Sequence, residues 1–260
     1  MSFVETYAER GCLVIDRLFD PALIDRVRAE YEAQYSDFDP ANLPLHMNVG
    51  DRRLHLPIRL TGPLLDPAFF AHPILTRILA TLLGPEFLID NVNCVVALSD
   101  AAEQRVHIDH SSLFPELRAL ADTMPAYAVT VAIPLIDLDS ATGTTKLFPG
   151  SQSAAHDTHD NPPEFDEEIC PFVKRGGCFL IDYRLWHRGM ANRSGVDRPI
   201  LYIVYTREWF TDVRNFKKHA RLVVDAADLD AIPDEHRPLF RRLAAKGLHD
   251  LSIKQVLGQA

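Results

Sequence analysis

The sequence predicts a mainly β domain, an antiparallel sheet pair or barrel carrying flanking helices. Three observations point there. From residue 88 to about 207, apolar residues recur at every second position in segments of strand length. Pro, Gly, Asp and Asn separate those segments, with no helical stretch between them, which argues against alternating strand and helix units. Helical stripes are confined to the chain before residue 88 and after about 210.

Taken in order, residues 12–15 read as a short strand. Asp20-Pro21 then reads as a helix N-cap with proline at the first helical position, and Leu23, Val27 and Tyr31, with Ile24 and Tyr35 beside them, mark a helix to about residue 35. Residues 36–67 hold Pro40, Pro44, Pro57, Pro63 and Pro67 among polar residues, so irregular turns able to cover a pocket are expected. Between Pro73 and Leu83, Ile74, Ile78 and Leu82 form a stripe that Leu75 and Leu79 widen, and Gly84 is the expected left-handed stop. Strands are expected at 88–98, 105–109, 126–135, 144–149, 168–173, 177–182 and 199–207. The stretch 149–171 reads as a surface excursion around the acidic run Glu164 to Glu168. Residues 214–260 return to Ala/Leu/Arg segments, with a helix near 236–246. The expected plan is one domain over 1–260: helical N-terminal support to about 87, a β core over about 88–210 and C-terminal support beyond.

Composition narrows the function classes. Asp+Glu 36 against Lys+Arg 27 give a net charge of -9, and the longest basic cluster is Lys217-Lys218, so nucleic acid is not an expected partner. Cys12, Cys94, Cys170 and Cys178 form no CxxC and have apolar neighbours, as expected of buried thiols in a reducing compartment. The opening MSFVETYAERGCLVID carries acidic residues before any apolar run, and no run reaches the roughly eighteen uncharged apolar residues of a membrane span. A cytoplasmic protein with no membrane partner is the expectation; oligomeric state is not legible.

The sharpest local signal is His107-Ile108-Asp109. Strand geometry puts His107 and Asp109 on one face and Ile108 on the other, which suits a metal, although such a triplet arises by chance and needs a third ligand. His187 follows a buried-looking strand and could supply it. Two imidazoles and a carboxylate fill one face of an octahedron around Fe(II), leaving three positions for a co-substrate and O2. Arg198, eleven residues on and just before Pro199 and the apolar run 200–205, is placed to hold a dicarboxylate by a two-pronged salt bridge. Gly143 to Ser151 holds turns around a short strand and lacks the GxxxxGK[ST] pattern, so it reads as a rim. Asn91 and Asn93 alternate on one strand face, as structural amides or ligand contacts. Thr130 is a candidate hydrogen-bonding partner of the co-substrate. His110 and Asp182 stay outside this set, and the aromatics Trp186, Tyr202, Tyr205, Trp209 and Phe210 read as core or as a substrate wall.

The order of HxD, a glycine ahead of Pro149-Gly150-Ser151, then His187 and Arg198 eleven residues apart, resembles the phytanoyl-CoA dioxygenase family of Fe(II)- and 2-oxoglutarate-dependent oxygenases. Tyr7 to Ile15 and Asn192-Arg193-Ser194 look like further family segments. The resemblance implies a double-stranded β-helix (jelly roll, cupin-like) core, with His107, Asp109 and His187 binding iron and Arg198 gripping the distal carboxylate of 2-oxoglutarate. It further implies that 2-oxoglutarate and O2 are co-substrates and that succinate and CO2 are co-products. Gln152 stands where many relatives have histidine. Halogenating relatives have a small residue where Asp109 stands, so oxidation of a C–H bond in a small molecule, such as a natural-product intermediate, is favoured. The residues alone leave two alternatives: a metal-dependent barrel enzyme that does not use 2-oxoglutarate, such as a Zn(II) hydrolase, and a noncatalytic binding module.

Overall fold

A computed structural model of the chain describes residues 3–37, 47–114, 116–117, 123–153, 162–213 and 222–244. Helix α1 (Phe3–Arg10) leads into β1 (Cys12–Ile15) through Gly11, whose backbone has φ +67. Helix α2 (Pro21–Gln34) starts as its sequence requires: the Asp20 carboxylate accepts a hydrogen bond from the Ala22 N–H at 2.9 Å, and Pro21 occupies the first turn. Strands β2 (Asn48–Gly50), β3 (Arg53–Pro57) and β4 (Arg59–Leu60) follow, then a short helix α3 (Pro67–Phe70). Helix α4 (Pro73–Leu83) buries Leu75, Ile78, Leu79, Leu82 and Leu83, and stops at Gly84 with φ +88.

From there the chain is β: β5 (Leu88–Ala97), β6 (Ala128–Pro134), β7 (Thr145–Leu147), β8 (Cys178–Asp182), β9 (His187–Gly189), β10 (Arg198–Thr206) and a short β11 (Val223–Val224). Helices α5 (Ala226–Asp230) and α6 (Arg241–Ala244) close the described chain. The main sheet runs β1-β8-β6-β10-β5-β3-β2, with every neighbouring pair antiparallel. One face packs on the helices: Val92, Cys94 and Val96 of β5, Leu201 and Ile203 of β10, and Val129 and Val131 of β6 join Ile24, Val27, Leu75 and Leu79 in a single core. Strand alternation turns Asn91, Asn93, Val95, Arg198, Ile200, Tyr202 and Val204 to the other face, which lines a cavity. The antiparallel β7–β9 pair covers that cavity, with Leu147 packed among Ala132, Ile181 and Ile200. Among the described residues, no helix is long and apolar enough to cross a membrane, and all four cysteines are unpaired.

The sequence reading needs four corrections. The stretch 36–67, expected to be irregular, contributes β2 and β3 to the main sheet, because Leu54 and Leu56 alternate into the core while Arg53 and His55 face the cavity. The sheet therefore reaches outside 88–210 and takes β1, β2 and β3 from the expected helical support. Residues 105–109 and 168–173 are not strands. Each makes one bridge, His107 to His187 and Ile169 to Leu147, and beyond Ile169 the lack of an N–H on Pro171 prevents a continuing ladder. The late helix is a 3-10 turn, Arg237–Phe240, followed by α6, and its expected end at 245–246 lies outside the described residues. Also outside them are Pro40, Pro44, Lys217-Lys218 and part of 149–171.

Candidate active site

His107 and His187 face each other across an antiparallel bridge in which each backbone N–H donates to the other's carbonyl at 2.9 Å. Directly opposed residues share a sheet face, so the two rings lie side by side with centroids 4.4 Å apart. The segment carrying His107 also pairs irregularly with the opposite chain: Gln104 N–H donates to the Gly189 carbonyl, and His110 N–H donates to that of Tyr183. Asp109 is thereby brought over the same spot, its Oδ1 3.6 Å from His187 Nε2. One ligand atom from each of the three residues lies within 4.8 Å of the others.

The ring tautomers follow from the partners. His107 Nδ1 lies 2.9 Å from the Arg105 carbonyl, and His187 Nδ1 lies 2.9 Å from the Leu185 carbonyl. A carbonyl only accepts, so each Nδ1 donates to it, and Nε2 is the ring atom each histidine can offer a metal. Ile108, between the two ligands, packs with Phe148 and Trp186 and holds the turn against the protein. Two imidazoles and a carboxylate converging on one spot fit Fe(II).

The cavity beside these residues has a volume of about 550 Å³. Its floor is ordered by sheet register. At one end Arg198 and Arg53 flank Ala97 on neighbouring strands; next come Ile200, Val95 and His55, then Tyr202 and Asn93, and at the far end Val204 between Asn91 and Thr130. Arg198 is 2% exposed, and its Nη1 donates to the carbonyls of Thr142 at 2.8 Å and Met190 at 3.2 Å. Its Nε is buried without a partner, and it pairs with no carboxylate among the described residues. Burial, reinforced by Arg53, pushes the Arg198 guanidinium down to about 10. Arg53, also 2% exposed, donates to the carbonyls of Ala102 and Met190 and has an equally unpaired Nε. Neither of these buried cations pairs with a carboxylate among the described residues, so together they suit an anionic ligand.

The structure brings all seven sequence candidates to this cavity: His107, Asp109, His187, Arg198, Asn91, Asn93 and Thr130. They do not form one cluster, since Thr130 and Asn91 lie at the opposite end of the floor from Arg198. Gln152 is elsewhere; its amide donates to the carbonyls of Ala8 and Glu9 and ties down the end of α1. Asp182 pairs with Arg184 in a buried two-pronged contact, and His110 stacks on Tyr183. Asn192 shapes the link between His187 and Arg198 by donating to the carbonyls of Ala97, Leu98 and Val196.

Among the cavity residues that escaped the sequence reading, three make structured contacts. Arg53 was hidden in a proline-bearing stretch, though the alternation Arg53-Leu54-His55-Leu56 was a usable signal. Gln104 accepts from the Gly189 N–H at 2.9 Å and donates to the Val49 carbonyl at 3.1 Å, bracing the cavity mouth. Tyr183 donates to the buried Asp212 carboxylate at 2.7 Å. Nothing in the local sequence of Gln104 or Tyr183 announces these contacts.

Comparison with known proteins agrees with this geometry. The curated dioxygenase af480 of Aspergillus fumigatus is 28% identical over 149 residues, covering 56% of this chain. The match spans 46% of that protein, so the chain accounts for about half of its length. Among solved structures, the non-heme monooxygenase ThoJ in its apo form gives a TM-score of 0.62 at 18% identity, covering 79% of this chain and 77% of that one. The epimerase SnoN in complex with Fe3+, alpha ketoglutarate and nogalamycin RO gives 0.58 at 16%, covering 79% and 82%. HygX from Streptomyces hygroscopicus with nickel, 2-oxoglutarate and hygromycin B bound gives 0.58 at 18%, covering 81% and 88%. At these identities the likeness shows the fold, the large antiparallel core of a double-stranded β-helix. A family model described as phytanoyl-CoA dioxygenase matches residues 7–200, which is most of the chain and includes every residue of the metal and arginine constellation. The chain therefore belongs to the phytanoyl-CoA dioxygenase family, a family of Fe(II)- and 2-oxoglutarate-dependent oxygenases.

Proposed function

We propose that this protein oxidises an unactivated C–H bond of a small molecule, consuming 2-oxoglutarate and O2 and releasing succinate and CO2. The observation that carries the proposal is the coexistence, in one cavity, of the converging His107, Asp109 and His187 and a buried arginine that pairs with no carboxylate among the described residues. Fe(II), held by His107, Asp109 and His187, supplies the oxidising chemistry once 2-oxoglutarate and O2 are bound. The chain's own residues supply aim and charge. Arg198 offsets the distal carboxylate of the co-substrate in a partly dry site, where a charge-assisted pair is strongest. Arg53, at the same level of the sheet, adds a second cation that favours a diacid over a monoacid. The hydrogen bonds from His107 and His187 to backbone carbonyls keep both rings turned to the metal. Two of the three structures found by fold were solved with nogalamycin RO and with hygromycin B, and a natural-product intermediate is the substrate class in keeping with that. Unpaired cysteines and a ferrous cofactor suit a reducing, cytoplasmic setting.

The test is anaerobic loading with Fe(II), addition of 2-oxoglutarate and O2, and quantitation of succinate. Fe(II)-dependent succinate formation is expected, and it should vanish in His107→Ala and Asp109→Ala together with Fe(II) binding measured by titration. Variants that bind Fe(II) as tightly as the parent would show that the metal lies elsewhere.

A further inference from the structure

The co-substrate accounts for one end of the cavity only. Arg198 and Val204 are six residues apart on β10, about 20 Å at ordinary strand rise. Arg198 is tethered at its own end by the carbonyls of Thr142 and Met190. A five-carbon diacid is only about 5–6 Å between its carboxyl carbons at normal bond lengths, so one anchored on Arg198 leaves the Val204 end open.

That end is polar in a specific way. Thr130 lies directly across from Val204, is 2% exposed and lines the cavity, yet its hydroxyl is buried without a hydrogen-bond partner. A hydroxyl left so in the free protein is a standing cost, and it is explained if a ligand satisfies it. On the opposite neighbour strand, Asn93 donates to the Asn91 carbonyl oxygen at 2.9 Å, and Asn91 donates to Asp90 Oδ2 at 3.4 Å. Asp90 is the unmatched residue where the β5–β10 register shifts; this bulge turns it toward the C-terminal side of the fold, where Thr211 and Arg242 donate to it. A carboxylate only accepts, so it fixes which way the Asn91 amide points, and Asn91 in turn fixes Asn93. The chain of amides ends on Asn93 Oδ1, an acceptor on the cavity wall polarised by the charge behind it. Around this end Asn91, Asn93, Thr130, Ile181, Tyr183 and Val204 are all uncharged.

We infer that the Val204 end is a substrate subsite that recognises an uncharged, hydroxyl-bearing group, with Asn93 Oδ1 accepting from a ligand O–H and the Thr130 hydroxyl pairing with a ligand oxygen. Asp90 and Arg242 are positioning residues that act through Asn91. The inference rests on the oxygenase reading above, and it assigns Thr130, Asn91 and Asn93 to the substrate rather than to 2-oxoglutarate.

The test is a crystal of the full chain with Mn(II) and 2-oxoglutarate, soaked in glycerol as a small neutral polyol, beside the near-isosteric variant Thr130→Val. Glycerol oxygens are expected within about 3.2 Å of Thr130 Oγ1 and Asn93 Oδ1, with 2-oxoglutarate on Arg198. In Thr130→Val the ligand-free Tm should equal or exceed the parent's, since an unpaired hydroxyl is lost, while glycerol density at this end disappears. The inference is overturned if 2-oxoglutarate itself occupies Thr130 and Asn93, or if glycerol avoids this end. A Tm several degrees lower in Thr130→Val would also overturn it by showing a structural hydroxyl. Failure of 2-oxoglutarate to reach Arg198 counts against the oxygenase reading separately, whichever way the glycerol result falls.

Discussion

Replacing Arg198 by methionine should leave the free protein at least as stable and abolish its response to 2-oxoglutarate. The reasoning starts from the cost of keeping this guanidinium charged. Burial and the neighbouring Arg53 push it from the ordinary guanidinium value down to about 10, which corresponds to a penalty of about 3 kcal/mol on the charged form. Methionine removes that penalty and preserves most of the side-chain volume. Against it stands the loss of the bond to the Thr142 carbonyl, about 1–2 kcal/mol; the Met190 carbonyl keeps its bond from Arg53. The balance is a gain of about 1–2 kcal/mol, or a Tm higher by about 2–5 °C in a chain of this size. Binding moves the other way. A carboxylate facing a missing buried cation loses about 2–5 kcal/mol. Thermal unfolding of the Mn(II)-loaded protein with and without 2-oxoglutarate reads both effects. At a hundred times its Kd, 2-oxoglutarate should stabilise the parent by about 2.7 kcal/mol and the variant hardly at all. The pH dependence has a defined sign. A base whose folded pKa lies below its unfolded value costs stability at every pH below about 10, and the cost fades only as pH rises from there toward the ordinary guanidinium value. The parent–variant difference should therefore be flat between pH 6 and 9. A variant less stable than the parent, or one stabilised equally by 2-oxoglutarate, would refute the reasoning.

Two further outcomes follow from the geometry. In Gly189→Ala the new methyl carbon would lie 2.5 Å from Gln104 Oε1 and 2.7 Å from Arg53 Nη1, so Arg53 must move. Overpacking of this kind costs about 1–3 kcal/mol in chemical denaturation, and 2-oxoglutarate binding should weaken; unchanged binding would remove Arg53 from the co-substrate site. Native protein treated with iodoacetamide at pH 8 should be alkylated at half-buried Cys170 well before the other cysteines. Burial raises Cys12 to about 11 and Cys178 to about 12, and also raises Cys94, so that thiolate is scarce in all three. Equal labelling by mass spectrometry would contradict the buried placement.

How much of this was readable beforehand depended on whether a residue's neighbours were local. The α2 and α4 boundaries followed from Asp20-Pro21 and Gly84 because capping acts within one turn of chain. The candidate metal ligands could be named because ligand chemistry restricts their type, and Arg198 as a candidate because it opens a strand. Arg53 could not, since its partner in function is Arg198, 145 positions away and brought near only by β5 lying between β3 and β10. Residues 105–109 were misread as a strand because their alternation is real; they bond to the opposite chain at His107 but not in a continuous ladder, a distinction that depends on where residues 183–189 run.

The amino-acid sequence alone was enough for the mainly β class, the start of α2, the end of α4 and the family resemblance, since periodicity and capping act close along the chain, and it named His107, Asp109, His187 and Arg198 as candidates because ligand chemistry restricts residue type. Register settled the rest. Pairing of β10 with β5 and β6 divides the cavity into an arginine end and an amide end, and one bulge at Asp90 turns a carboxylate away from the cavity, from where it orients the cavity-lining Asn91. Which side chains share a cavity level is a property of strand pairs far apart in sequence, and a shift of one residue would turn every one of them to the other face.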